Sequence, residues 1–375
     1  MKNIFLKIKK FLKGTDVILL GTCIACSCFG LLVLYSMGVV FFESNSIFYV
    51  QALATVLGII VAITISLIDY KTILQFWKII APIAIILVLL TFFIGLKAAG
   101  ADDKAWLALP GGLTFQPSEL LKIAFIITFA IHLNKVKESI NQIGTLLLLL
   151  VHGAVPVLLI HFQGDDGTAI VFACIMIFML FAAGLSLKYI LIGLLASPFV
   201  AAIMWFFILG DHQKKRILIV FQPELDPLGD GYQSLQGKMA LGSGQMWGRG
   251  LFSKELKSIP VMQSDFIFAY IGQVLGFMGC LAVIILMAVI CVKMITTAGK
   301  CKDLTGTLIC VGVFTIFFIQ VIVNTGMSLS ITPVIGITLP FFSSGGSSMV
   351  ISYISIGLVL SVYRHNKKSM FESYL

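Results

Sequence analysis

Apolar stretches of about 20 residues, parted by short polar breaks, recur along this chain from Asp16 to Tyr363. A segment in lipid must satisfy every backbone N–H and C=O internally, and a helix does so. The pattern therefore predicts an all-α, polytopic membrane protein of about ten transmembrane helices. They fall near 15–37, 47–68, 74–97, 118–134, 143–160, 168–184, 187–209, 265–294, 305–327 and 343–364. The whole chain, 1–375, reads as one transmembrane domain, with a large outer loop, 210–264, between the seventh and eighth helices. Composition agrees, because with 59% hydrophobic and 11% charged residues no soluble core could absorb the apolar surface. The first apolar run is too long for a signal peptide and lacks a small-residue cleavage site.

Lys and Arg set the orientation. With the N-terminus inside, the inner segments hold sixteen of them and the short outer loops only Lys97 and Lys104. The long loop carries seven more, but long translocated segments escape the positive-inside rule. Both termini are expected in the cytoplasm. The net charge of +9 then belongs mostly to an inner face against anionic lipid and gives no reason to expect nucleic-acid binding. None of the eight cysteines falls in an outer loop, so no disulfide framework is expected there. Cys23, Cys26 and Cys28 read as packing residues of the first helix.

Three outer segments, 98–119, 210–264 and 328–348, break the apolar pattern with too much detail for plain connections. The first ends in "LTFQPSELLKIAF". Pro117 suits the first turn of a helix, and Glu119 its positive end. Glu119 and Lys122 share a helix face inside the membrane, where ionisable residues pair and mark functional sites. Both a structural ion pair and a substrate contact fit them. In the second segment Lys214 and Lys215 read as a solvated loop start, while Arg216 runs into an apolar stretch and suits bidentate pyrophosphate binding. "LGSGQMWGRG" lacks the strand–loop–helix setting of a nucleotide fingerprint and reads as a close-packed loop. In the third, Pro and Gly interrupt membrane-depth sequence, which is tolerated only under a cover of protein or water. "SSGGSS" at the start of the last helix offers hydroxyls and N–H groups to an anion, or simply packs. The five histidines show no ligand spacing. "HFQGDDGTA" (161–169) reads as a tight turn in which Asp165 or Asp166 caps the sixth helix.

Several long motifs stand in order. "FQPSE..K" covers Gln116, Pro117, Ser118, Glu119 and Lys122. "Q..RI...F..P..DP.G.GYQ..Q" runs from Gln213 to Gln236, and "DFIFA.IG..LGF.G" from Asp265 to Gly279. "Q...N.GM.....PV.GI.LPF.S.GGSS" runs from Gln320 to Ser348. With these the chain resembles the SEDS family (shape, elongation, division and sporulation) through nearly its whole length. "DPLGDGYQ", Lys238 in "QGKMALGSG", "LYS" at 34–36 and the short tail lean toward its elongation-type members.

The resemblance implies ten helices and a peptidoglycan glycosyltransferase of the cytoplasmic membrane. Such an enzyme polymerises lipid II into glycan strands at the outer face, beside a class B penicillin-binding protein that crosslinks them. It implies Asp265 as the catalytic acid, which could also cap the eighth helix. In that chemistry Asp265 takes the acceptor 4-hydroxyl proton or ligates a metal. Arg216 and Lys122 face the pyrophosphates, with a divalent cation such as Mg²⁺ sharing that charge. Glu119, Gln116, Ser343 and Ser347 complete the expected substrate-binding set.

The departures are specific. Val261 stands where the family has Glu, Gln273 and Val274 replace an acidic pair, and Ala105 replaces an Arg before Trp106. "QPDLGT" has become "QGDDGT", and Ser344 replaces a Tyr. A multi-carboxylate metal site is weakened by this, so water or phosphate oxygens would have to complete coordination. A lipid II transporter, with Glu119, Lys122 and the broken segment 328–348 on its path, and a non-catalytic scaffold for the transpeptidase remain as alternatives. Ala269, Gly272, Gly276 and Gly279 form a stripe of small residues below Asp265, expected to receive the helix of Glu119 and Lys122 or the "SSGGSS" loop.

Overall fold

The computed structural model describes residues 14–42, 44–96, 104–110, 113–226 and 229–372. The basic residues before Gly14, Lys97 and the motif residue Pro227 lie outside them. Ten helices stand where the apolar pattern put them: α1 (Val17–Met37), α2 (Ser46–Leu67), α4 (Trp77–Ile94, after the short α3, Tyr70–Gln75), α5 (Pro117–Lys135), α6 (Ile143–Gln163), α7 (Asp166–Ala182), α8 (Leu187–Ile203), α11 (Ile267–Gly299), α12 (Leu304–Ser328) and α13 (Gly346–Glu372). Eight of these runs are long and apolar enough to cross a membrane. Of the other two, α5 carries Glu119, Lys122 and Lys135, and α7 is apolar but has only 17 residues.

The expected large loop is largely helical, with α9 (Asp211–Phe221) and α10 (Asp230–Ser243) inside it. Lys214 and Lys215 thus sit on a helix, and the reading of them as a loop start is corrected. The first outer segment holds a short antiparallel hairpin, β1 (Leu107–Leu109) with β2 (Leu113–Phe115), which the apolar pattern did not announce.

Helix starts follow from local chemistry. Asp16 accepts from Leu19 N at 3.1 Å, Asp165 from Thr168 N at 2.9 Å and Asp303 from Gly306 N at 3.0 Å. Each satisfies an N–H that the first turn leaves orphaned. So Asp165 is the cap that the "GDD" turn promised.

Small residues let the apolar helices close on each other. A Cβ at Gly58 of α2 would lie 2.6 Å from the Tyr353 ring of α13, and one at Gly357 would lie 3.0 Å from Ala62 Cα. In lipid this close contact stands in for the missing hydrophobic drive. Tyr353, fully buried, shares a 2.8 Å hydrogen bond with Ser27 of α1.

One end of the bundle gathers the ends of the described chain. Asp16 pairs with Lys293 at 2.7 Å, and Tyr70 donates to Asp303 at 2.5 Å. Burial and that Asp303 bond raise the Tyr70 phenol above its ordinary pKa. Gly14 approaches the Arg364 guanidinium at the same end.

The opposite end is irregular. α11 is broken at Gly276, whose φ of 66° and ψ of −162° are open to glycine. The turn 245–250 fills the break. Arg249 N and Gly250 N donate to the carbonyls of Gln273 and Val274, each at 3.0 Å, while Phe277 N and Met278 N donate to those of Gln245 and Met246. The glycine-rich stretch is a close-packed loop, as expected, and its task is to satisfy a broken helix at membrane depth. The small-residue stripe therefore receives α10 and this turn, not α5 or the "SSGGSS" loop. A Cβ at Gly272 would meet Leu241, and one at Gly244 would run into Gly272 O.

Candidate functional site

Away from the chain ends, a cavity of about 210 Å³ opens among segments far apart in sequence. Its wall takes Trp106, Gln116, Glu119 and Lys122 from the hairpin and the start of α5, and Gly164 to Thr168 from the turn before α7. Arg216 of α9, Gln233 of α10, Val261, Ser264 and Asp265 before α11, Gln320 of α12, and Val334 to Thr338 with Ser344 close it. Five of the seven expected site residues, Gln116, Glu119, Lys122, Arg216 and Asp265, thus meet in one place.

Glu119 and Lys122 form a 2.8 Å ion pair with side chains only 8% and 2% exposed. Pro117 starts α5 at its first turn and puts Glu119 in that turn, near the positive end of the helix. The ammonium has three N–H groups, so the bond to Glu119 leaves donors for a ligand. Removing one partner of a buried pair costs about 3–5 kcal/mol. Lys122→Met should lower thermal stability accordingly, and Glu119→Gln with Lys122→Met should recover most of the loss without recovering activity. Melting curves in detergent decide this; equal curves for the single and double variants would mean the pair is not electrostatically buried.

Asp265 is presented by a strained turn. Val261 has φ of 53°, where a β-branched residue is seldom found, at a cost of order 1–3 kcal/mol. The strain aims the Val261 carbonyl at Ser264 N and Asp265 N, each at 3.1 Å, and at Phe266 N. Two more bonds clamp the turn. Asn324 of α12, fully buried, donates at 2.9 Å to Asp265 O and at 2.8 Å to Ile337 O. Ser343 Oγ donates to Ser264 O at 2.5 Å. The carboxylate faces Gly336, where a Cβ would come 4.0 Å from Oδ2. The suggestion that Asp265 caps the helix fails: α11 begins after Phe266 with no side-chain cap.

Ser343 and Ser347 are not in the cavity wall. Ser343 Oγ is used by Leu339 N and Ser264 O, and Ser347 Oγ is buried elsewhere. Two N–H groups of "SSGGSS" are also taken, Ser344 N by Gln263 O at 2.7 Å and Gly345 N by Gln51 Oε1 at 3.0 Å. These bonds tie the segment to the turn before α11 and to α2, as a packing turn requires.

The remaining acids of the wall are held. Gln116 Nε2 donates to Asp165 Oδ2 at 3.0 Å, and Asp166 bonds His161 Nδ1 at 2.6 Å and Gln213 Nε2 at 2.5 Å. Gln213, Gln320 and Asn324 were within matched motifs but carried no assigned role; a polar side chain in an apolar helix was the available signal for the last two. Among the family departures, only Val261, the "GDD" turn and Ser344 border the cavity. Gln273 is buried and, with its amide oriented to suit both, pairs with the main chain of Lys257 at 3.1 and 2.8 Å.

Among the described residues no three His, Cys, Asp or Glu side chains gather as a metal set. Mg²⁺, however, binds through one or two carboxylates with substrate phosphates and water. Asp265 fits such a cation only together with a phosphate ligand.

A polytopic helical protein with a polar, carboxylate-bearing cavity at one end of its bundle is the class defined by this geometry. The chain belongs to the cell cycle protein family of FtsW, RodA and SpoVE, whose pattern matches residues 16–368. It is 34% identical to the peptidoglycan glycosyltransferase MrdB of Escherichia coli over 75% of this chain and 77% of that one. It is 30% identical to the probable peptidoglycan glycosyltransferase FtsW of Geobacter sulfurreducens over 96% and 98%, and 32% identical to the stage V sporulation protein E of Bacillus subtilis over 90% and 94%. These identities do not rank one branch above the others. Among solved structures, a chain described under "Structural coordination of polymerization and crosslinking by a peptidoglycan synthase complex" superposes with a TM-score of 0.79 at 26% identity, covering 94% of this chain and 98% of that one. Thermus thermophilus RodA shares the fold, with a TM-score of 0.69 at 24% identity, covering 94% of this chain and 97% of that one.

Proposed function

We propose that this peptidoglycan glycosyltransferase polymerises lipid II at the outer face of the cytoplasmic membrane, with Asp265 as its base. The observation that carries the reading is the convergence of Asp265, Arg216 and Lys122 on one cavity from three separate segments. Glycosyl transfer needs a proton acceptor at the attacking hydroxyl and positive charge at the leaving pyrophosphate. The Asp265 carboxylate takes the proton of the acceptor 4-hydroxyl as its oxygen bonds the anomeric carbon. The bond from that carbon to the pyrophosphate breaks, and its electron pair leaves with the phosphate. The Arg216 guanidinium and the Lys122 ammonium stabilise the departing charge. A divalent cation held by Asp265 and the pyrophosphate would share that stabilisation.

The excess of Lys and Arg on the inner segments supports cytoplasmic termini and hence an outward-facing cavity. The elongation-type motifs support a role in cell elongation, and the likeness to a chain from a synthase complex that polymerises and crosslinks supports a class B penicillin-binding protein partner.

Arg216→Ala should raise the KM for lipid II by roughly tenfold or more, as expected for a lost charge-assisted bond. Polymerisation by purified protein, with and without the transpeptidase partner, reads this out. In the same assay EDTA should suppress the rate and added Mg²⁺ restore it. A full rate in EDTA removes the cation from the reading, and a wild-type KM removes Arg216.

A further inference from the structure

The turn "QGDDG" (163–167) places two carboxylates side by side, and they reach in different directions. Asp165 caps α7 and bonds Gln116, just ahead of the helix that carries Lys122. Asp166 bridges two other elements. One oxygen bonds His161 Nδ1 in the last turn of α6, at 2.6 Å; the other accepts from Gln213 Nε2 in the first turn of α9, at 2.5 Å. Gln213 also folds back, its Oε1 accepting from Gly210 N at 3.0 Å, so its side chain is used at both ends. Arg216 lies three residues further along α9, on the same helix face.

The consequence is geometric. α9 is short, and among its eleven residues only Ile219 is buried among those whose burial is described, so apolar packing does little to fix its rotation. A charged, half-shielded carboxylate bonded to its first turn supplies that constraint, anchored to the end of α6. Asp166 stands where the family pattern has Leu, which cannot accept a hydrogen bond.

We infer that Asp166 is a positioning residue: through Gln213 it sets the rotation of α9 and thereby aims Arg216 at the pyrophosphate of the substrate. This rests on the role proposed above for Arg216. A guanidinium grips phosphate bidentately, so a small rotation of its helix costs contacts that a point charge would keep.

The test is a set of single and paired variants of the full-length protein, with KM and kcat measured for lipid II polymerisation. Asp166→Leu should raise KM roughly tenfold, the size of one charge-assisted bond, with kcat changed by no more than about twofold. Gln213→Ala should reproduce the KM effect, and it alone carries the test if Asp166→Leu melts the fold, because it leaves the His161 bond in place. In an Arg216→Ala background neither change should add anything, since the arm they aim is gone. A purely structural role for Asp166 predicts instead that its effect multiplies with that of Arg216→Ala, and that result overturns the inference while leaving Arg216 in its role. So does an unchanged KM in stable Asp166→Leu protein. A wild-type KM in Arg216→Ala would remove the pyrophosphate role of Arg216 and the inference with it.

Discussion

Asp265→Asn should slow lipid II polymerisation by about a hundredfold to ten-thousandfold, the range of a lost general base, while the protein stays folded. The substitution keeps the shape but exchanges one acceptor oxygen for an NH₂ donor and removes the basicity of the group. Two main-chain bonds hold residue 265 in place: its N–H to the Val261 carbonyl at 3.1 Å, and its carbonyl from Asn324 at 2.9 Å. Neither depends on the carboxylate, and α11 does not use it as a cap. The loss should therefore appear in kcat, with melting temperature and partner binding near wild type. Single-turnover polymerisation with purified protein is the measurement. A wild-type rate would sink the base assignment and turn attention to another acid of the cavity, of which Glu119, Asp165 and Asp166 are engaged by Lys122, Gln116, and His161 with Gln213.

The spans were legible because lipid imposes one solution on an apolar segment of sufficient length, and that solution leaves a periodic trace. The catalytic candidates were legible too, since a charge at membrane depth is costly and stands out: Glu119, Lys122, Arg216 and Asp265 all reached the cavity. What stayed hidden depends on partners remote in sequence. "SSGGSS" looks like an open anion nest, and only the fold reveals that Gln263 and Gln51 occupy the N–H groups of Ser344 and Gly345. Asp265 looks like a cap, but a left-handed Val261 turn bonds its N–H, and α11 begins only after Phe266, with no side-chain cap. The helices α9 and α10 were hidden for another reason. They are polar enough to pass for loop, and their helicity rests on docking against neighbours more than on an apolar stripe.

The glycine stripe was the deepest misreading, because a glycine at helical spacing signals close packing and backbone freedom alike. Gly276 is there for its backbone. With φ of 66° it cannot continue a helix of L-residues, and a Cβ on it would lie 2.4 Å from Gly248 N and 2.6 Å from both the carbonyl carbon and oxygen of Met246. These are main-chain atoms of the turn that satisfies the broken ends of α11, so they cannot move aside without exposing the Gln273 and Val274 carbonyls at membrane depth. Gly276→Leu is accordingly expected to prevent folding, and not merely to reduce activity in an otherwise intact protein. Gly276→Ala should already cost several kcal/mol: about 1–3 for a backbone conformation essentially confined to glycine, with the clash added. Gly299 offers the internal comparison. It is the last residue of α11, and an added Cβ there meets nothing within 4 Å. Folded yield and melting temperature in detergent should fall steeply for Gly276→Ala and much less for Gly299→Ala. If the two variants melt together, the break in α11 is not the strained joint described here, and the turn at 245–250 must be held by something other than Gly276.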